Sequence, residues 1–123
     1  MDHRCLIVDD SPTYCAAVRD MLEAAGMTVV ATAATLAEAV EAANTHRPDL
    51  ALVDIDLGAE SGFDVVEALQ KVEVPTPAVI LVSTHDPDDF AEMIADSSAI
   101  GFLQKFGLSA ELIAQMVAGH PRN

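Results

Sequence analysis

The chain alternates short apolar runs with helical patterns from one end to the other, and this alternation constrains the fold more than any other feature. Each apolar run has the length of a strand buried on both faces, and each is followed by apolar residues at helical spacing. The predicted strands cover residues 4–9, 28–32, 50–53, 78–82 and 100–103. Such alternation predicts a parallel five-stranded sheet with right-handed crossovers and helices on both faces, a three-layer α/β sandwich.

Helix start and stop residues support the same division. Ser11-Pro12 begins the first predicted helix, Thr35 caps the second, and Ser109 caps the last. Gly58 and Gly62 bracket the loop before the third helix, and the fourth is predicted over 87–96.

Length and composition restrict the classes of protein that fit. A chain of 123 residues suits a single domain, 1–123, and its apolar runs are far shorter than a bilayer span. Six Lys+Arg against 20 Asp+Glu give a formal charge of −14, which repels nucleic acid phosphates and anionic lipids. We therefore expect no nucleic acid binding by this domain alone, no membrane association and, without a signal-peptide pattern, a cytoplasmic location.

Two cysteines, Cys5 and Cys15, fall on a predicted strand and a predicted helix. Their spacing matches no metal-binding motif, and there is no second pair to build a disulfide framework. We expect two reduced thiols packed in the interior.

Polar residues follow four of the five predicted strands. Because parallel strands bring their carboxyl ends to one edge of the sheet, these residues should lie close together. Three converging carboxylates would repel one another, and a divalent cation such as Mg²⁺ would relieve that repulsion. With a lysine and a hydroxyl nearby, the edge suits a phosphoryl group carried on a carboxylate nucleophile. The residues are Asp9, Asp10, Asp54, Ser83, Thr84 and Lys105.

These motifs, in this order, make essentially the whole chain resemble the receiver domains of bacterial two-component response regulators. The acidic pair lies in LIVDDS, the acceptor Asp54 in DLALVDIDLGAESG, the hydroxyl Ser83 in VILVSTHD, and Lys105 in GFLQK. The resemblance implies a flavodoxin-like (βα)5 fold with strand order 2-1-3-4-5.

The resemblance also implies a role for each site residue. Asp10 and Asp54 would bind Mg²⁺ (or Mn²⁺) together with the backbone carbonyl of Asp56, and Asp9 would act through metal-bound water. Asp54 would take a phosphoryl group from a sensor histidine kinase or phosphotransfer protein, and Ser83 and Lys105 would contact its oxygens. The domain would not be a turnover enzyme on an external substrate.

Phosphorylation would then change a surface of the domain. Phe102 would move inward as Ser83 shifts, altering the face made by the fourth helix, fifth strand and fifth helix. That face would control an output domain or a partner, and a homodimer through it is a further expectation. The end at Asn123 leaves open a free-standing receiver or part of a longer regulator.

Several positions depart from the pattern of the family. Phe106 stands where proline usually follows the lysine; a cis bond before a non-proline residue is costly, so we expect a trans bond and a rearranged loop. Gly58 replaces a common proline and should loosen the loop after Asp54. Thr84 is larger than usual and would crowd the phosphoryl site. Asp56 and His85 are placed to reach attacking water, so these two residues and Thr84 should tune the phosphoryl lifetime.

The sequence leaves two alternatives open. The first is a pseudo-receiver that binds a partner without phosphorylation, suggested by Thr84 and Phe106. The second takes Asp54 and Asp56 as the DxD motif of a haloacid-dehalogenase-like phosphohydrolase. The second fits poorly because that motif normally lies on the first strand and because Gly58 stands where Thr or Val is usual.

Overall fold

The structure, a computed structural model, describes residues 3–72 and 77–119. Its main sheet has five parallel strands in the order β2-β1-β3-β4-β5, which confirms the predicted topology. The strands are β1 (Arg4–Val8), β2 (Thr28–Ala33), β3 (Leu50–Asp54), β4 (Ala78–Ser83) and β5 (Gly101–Gln104). The helices are α1 (Pro12–Ala24), α2 (Leu36–His46), α3 (Gly62–Gln70), α4 (Ala91–Asp96) and α5 (Ala110–Ala118).

Two hydrophobic clusters pack on opposite faces of the sheet. Helices α1 and α5 cover one face, where Leu22 and Ile113 are fully buried. Helices α2 and α3 cover the other face, with Ala39 and Leu69 fully buried. Every residue of β4 is buried, as its continuous apolar pattern predicts for a strand covered on both sides. The chain is therefore the predicted three-layer sandwich.

Serine and threonine side chains begin the helices as predicted. The hydroxyl oxygens of Ser11, Thr35 and Ser109 each accept a hydrogen bond from a backbone N–H in the first turn of the following helix. Within residues 3–72 and 77–119, no helix is both long and apolar enough to cross a bilayer.

Two segments differ from the prediction. Residues 87–96 form a 3-10 turn, Pro87–Phe90, followed by the short helix α4. The carboxylate of Asp86 accepts from the N–H of Asp88, which favours the tight turn. The loop after Asp54 contains a two-residue antiparallel hairpin, in which Asp56–Leu57 pairs with Glu60–Ser61. Gly58 makes this turn possible because its φ of +68° is unfavourable for other residues.

Both cysteines are free and buried, as predicted. Cys5 is fully buried, and burial together with the nearby Asp49 raises its pKa to about 12. Burial and the charge of Asp9 also raise the pKa of Cys15. We expect neither thiol of the folded protein to react with a thiol reagent at pH 8, because the reactive thiolate is scarce and shielded. Both should react in denaturant. Rapid modification of the folded protein would contradict this packing.

Candidate functional site

Three carboxylates meet at the carboxyl edge of the sheet. Asp9 and Asp10 follow β1, and Asp54 is the last residue of the neighbouring strand β3. One ligand oxygen from each lies within 4.8 Å of the others. Asp9 and Asp54 are buried, with exposures of 4% and 6%, whereas Asp10 is exposed. The cluster predicted from the strand ends therefore forms, with Asp9 and Asp54 buried and Asp10 exposed.

Lys105 joins this cluster from the end of β5. Its Nζ lies 2.8 Å from Oδ2 of Asp9 and 3.2 Å from Oδ2 of Asp54. Its backbone N–H donates to the carbonyl of Ser83, which ties the ends of β4 and β5 together. Burial alone would lower the pKa of Lys105, but its hydrogen bonds to the two carboxylates outweigh burial, and the pKa is raised. Lys105 is thus a fixed positive charge between two buried acids.

Asp54 is held by donors to both of its oxygens. The backbone N–H of Asp56 donates to Oδ1 at 3.2 Å, and Lys105 donates to Oδ2. Burial and the like charge of Asp9 raise the pKa of Asp54 above its usual value of 3.8, and the two hydrogen bonds offset part of that rise. The carboxylate is consequently oriented and poorly hydrated, which suits an oxygen nucleophile.

Asp9 is oriented by the start of helix α1. Its Oδ1 accepts from the N–H of Ser11 at 2.9 Å, while its own N–H donates to the carbonyl of Ala33. Its other carboxylate oxygen faces Lys105. Both oxygens of Asp9 therefore have protein donors, whereas the adjacent Asp10 is exposed.

The chemistry of this donor set fits a hard divalent cation. Carboxylate oxygens in a tight group are what Mg²⁺ and Mn²⁺ take in proteins, usually with several waters retained. The three candidate ligands are Asp9, Asp10 and Asp54. The ammonium of Lys105 already neutralises part of their charge, so it would compete with a cation for Asp9 and Asp54.

The other predicted residues lie on the neighbouring strands β4 and β5 and just after β4. Ser83 is fully buried, and its Oγ accepts from the N–H of His85 at 3.0 Å. Thr84 and His85 are exposed, and Nε2 of His85 lies 3.1 Å from Oδ2 of Asp56. Phe102 is half-buried against the core under α2 and α3, in register with Leu81, two residues before Ser83.

Sequence reasoning missed one contact residue of the site, Tyr14. Its helical spacing with Val18 and Leu22 predicts a place in the apolar stripe of the first helix, and it does pack against the core on that side of the sheet. Its hydroxyl, however, donates to the carbonyl of Lys105 at 3.2 Å, and Nζ of Lys105 lies 4.5 Å from the centre of its ring. The hint in the sequence was that this stripe includes the one tyrosine of the chain, which carries a polar group into an apolar row.

Fold and site together define a doubly wound α/β domain with an acidic cluster and a lysine at its carboxyl edge. Residues 5–117 match the family described as the response regulator receiver domain, and the chain belongs to that family. It is therefore a receiver domain of two-component signalling. These matches favour neither the pseudo-receiver nor the phosphohydrolase alternative.

Individual relatives illustrate the match. The chain is 30% identical over 100 residues to the DNA-binding transcriptional activator EvgA of Escherichia coli K12, over 81% of this chain and 48% of EvgA. It is 40% identical over 105 residues to the protein-glutamate methylesterase/protein-glutamine glutaminase of Natronomonas pharaonis, over 81% of this chain and 28% of that protein. It spans about half or less of the length of these two relatives.

A solved structure shows the same likeness. The two-component response regulator of the LuxR family from Aurantimonas sp. SI85-9A1 superposes with a TM-score of 0.84 at 27% identity. The match covers 97% of this chain and 87% of that one.

Proposed function

We propose that Asp54 is the phosphoryl acceptor of this receiver domain. The observation that carries the proposal is a buried carboxylate at a strand end with the Lys105 ammonium 3.2 Å away and two further carboxylates beside it. An oxygen of Asp54 would attack the phosphorus of a phosphohistidine on a sensor kinase or phosphotransfer protein. The new O–P bond forms as the P–N bond breaks, and the histidine nitrogen keeps the electron pair.

The surrounding residues would share the charge of the acyl phosphate. Lys105 would move from pairing with Asp54 to contact a phosphoryl oxygen, and the Ser83 hydroxyl would contact another. Asp10, Asp54 and the backbone carbonyl of Asp56 would hold Mg²⁺ or Mn²⁺ directly, and Asp9 would hold it through water. The metal, when bound, would supply positive charge to the oxygens of the transferred group.

The output of the phosphorylated state is also a proposal. Ser83 and Phe102 lie on neighbouring strands, so a shift of Ser83 toward the phosphoryl group would open room for Phe102 to move inward. The face formed by α4, β5 and α5 would change with it, and would act on an output domain, a partner or a second copy of the chain. A cytoplasmic location remains part of this proposal.

The pair Asp56 and His85 is proposed to set the lifetime of the phosphoryl group. The two side chains lie 3.1 Å apart, in the segments that directly follow Asp54 at the end of β3 and Ser83 at the end of β4. Both side chains are about half exposed or more. They can therefore meet water arriving at the acceptor. Thr84 lies exposed between Ser83 and His85 and would limit the space for that water.

The proposal is tested by incubating the protein with Mg²⁺ and either acetyl phosphate or beryllofluoride. We expect one phosphoryl group by intact mass and a saturable spectral change with beryllofluoride. A protein that takes neither, while binding Mg²⁺ and remaining folded, would be a pseudo-receiver. Steady turnover of a small phosphomonoester would instead revive the phosphohydrolase alternative.

Lys105→Ala should separate phosphoryl binding from metal binding. Loss of hydrogen bonds to a charged group costs about 1.5–3 kcal/mol, so beryllofluoride affinity should fall roughly 10-fold to 100-fold. Mg²⁺ affinity should rise, because the competing ammonium is gone from Asp9 and Asp54. Calorimetric titration of each ligand measures both effects.

Lys71→Ala is the matched control, because Lys71 is the only other lysine of the chain and lies at the end of α3. It removes the same charge away from the site and should change neither affinity by much. If Lys105→Ala bound beryllofluoride as tightly as the wild type, the assigned role of Lys105 would be wrong.

A further inference from the structure

Tyr14 contacts Lys105 at both ends of the lysine. The phenol hydroxyl donates to the backbone carbonyl of Lys105 at 3.2 Å, and the ring lies under the ammonium, with Nζ 4.5 Å from the centroid. A cation over an aromatic face and a hydrogen bond from the same side chain restrict both the backbone and the ammonium. The tyrosine and the lysine are 91 residues apart in the sequence.

The two residues that follow Lys105 are exposed. Phe106 is 78% exposed, and Gly107 has a φ of +93° with open space where a Cβ would stand. The backbone of Lys105 is instead tied to Ser83 through its N–H and to Tyr14 through its carbonyl.

Tyr14 is itself anchored to the acidic cluster, so that the hydrogen bonds form a closed circuit. Asp9 accepts from the N–H of Ser11, and the Ser11 hydroxyl oxygen accepts from the N–H of Tyr14. The Tyr14 hydroxyl donates to the Lys105 carbonyl, and the Lys105 ammonium in turn contacts the Asp9 carboxylate. Burial raises the pKa of Tyr14 to about 12, beyond the opposing effect of Lys105, so the phenol stays a donor at neutral pH.

We propose that Tyr14 is a positioning residue that holds the Lys105 ammonium between Asp9 and Asp54. In this place the ammonium competes with a divalent cation and is ready to receive a phosphoryl oxygen. The competition with a divalent cation follows from the geometry alone. The contact with a phosphoryl oxygen rests on the function proposed for Lys105.

The test uses Tyr14→Phe, which removes only the hydroxyl, and Tyr14→Leu, which also removes the ring. One neutral hydrogen bond is worth about 0.5–1.5 kcal/mol, so Tyr14→Phe should weaken beryllofluoride binding roughly two-fold to ten-fold. Tyr14→Leu should weaken it further, since a partly buried cation–ring contact adds about 1 kcal/mol, or roughly five-fold. Both variants should bind Mg²⁺ more tightly than the wild type.

A spectroscopic readout follows the lysine directly. With two lysines in the chain, selective labelling gives one ε-methylene signal for Lys105 and one for Lys71 as an internal reference. The Lys105 signal should be shifted upfield by the ring in the wild type and in Tyr14→Phe, and should lose that shift in Tyr14→Leu. Thr13→Ala, an exposed neighbour on the same turn, should change none of these measurements.

A double-mutant cycle completes the test. In a Lys105→Ala background, adding Tyr14→Leu should have no further effect on either affinity, because the tyrosine acts through the lysine. Equal weakening of Mg²⁺ and beryllofluoride by the Tyr14 variants would indicate general damage and overturn the inference, as would unchanged affinities. If the wild type failed to bind beryllofluoride, the proposed function would fail, and the Mg²⁺ and lysine-signal measurements would still decide the role of Tyr14.

Discussion

Asp54→Asn should abolish phosphoryl incorporation from acetyl phosphate. The amide that replaces the carboxylate is not a nucleophile, yet it has nearly the same shape and its oxygen can still accept from Lys105 or from the N–H of Asp56. The site should therefore keep its structure and lose its chemistry. Intact mass after incubation with Mg²⁺ and acetyl phosphate measures the loss, which should reach the background level.

Asp64→Asn is the matched control for this substitution. Asp64 is an exposed residue in the first turn of α3, so its replacement removes one negative charge outside the acidic cluster. It should be phosphorylated like the wild type. A label that persisted in Asp54→Asn would show that another residue is the acceptor.

The same variant carries a signed expectation for stability. The pKa of Asp54 is raised above 3.8 in the folded protein by burial and by Asp9, so ionising this group opposes folding. This destabilisation of the wild type is present above the folded-state pKa and disappears as the pH falls toward 3.8. In metal-free buffer at neutral pH, Asp54→Asn should then be at least as stable as the wild type toward urea. A lower stability that persists at every pH would contradict this electrostatic origin.

Gly62→Ala should produce the largest loss of stability among single-methyl additions at the glycines described. A Cβ at this position would lie 2.2 Å from the carbonyl oxygen of Asp54 and 2.8 Å from Cα of Ile55. Both are backbone atoms of the strand end that carries the acceptor, and the N–H of Gly62 already donates to the carbonyl of Ile55 at 2.7 Å. Neither side can yield without moving β3 or α3. Overpacking of this kind costs about 1–3 kcal/mol and occasionally more, and we expect the upper end.

Urea unfolding measures that loss, and Gly119→Ala provides the control. Gly119 lies at the end of α5, where a Cβ would make only ordinary contacts, the nearest at 3.5 Å. Its substitution should change the free energy of unfolding by less than about 0.5 kcal/mol. If Gly62→Ala were equally mild, the start of α3 would not be packed against the Asp54 backbone as the structure describes. The phosphorylation rate of Gly62→Ala should also fall, because the strand that carries the acceptor must shift.

Much of the fold and part of the site could be predicted because each depends on local patterns with a strong topological consequence. A run such as Ala78–Ser83 is typical of a strand covered on both faces in a parallel sheet, and that sheet brings Asp9, Asp54 and Lys105 to one edge. The sequence therefore predicts that these residues, widely separated in the chain, lie close together. Serine caps such as Ser11 were predictable for a similar reason, since the capping bond spans three residues.

The fourth helix shows where local reasoning ended. Asp86-Pro87 predicts the start of a helix over 87–96, but the Asp86 carboxylate accepts from the N–H of Asp88 and the segment begins as a 3-10 turn. Two local preferences compete there within a few residues. The sequence pattern does not show which preference is stronger. In the structure the 3-10 turn forms, and its Phe90 packs against the core.

By itself, the sequence determined the layer order, the edge at which the site lies and the charged residues that meet there, because alternation and strand ends leave few topologies. Only the tertiary structure decided that Tyr14 reaches Lys105 and that Gly62 lies against the backbone of Asp54. The first contact spans 91 residues, and the second depends on an approach closer than a methyl group allows. Neither contact produces a periodic pattern in the sequence, because each depends on how the first turn of a helix packs against the edge of the sheet.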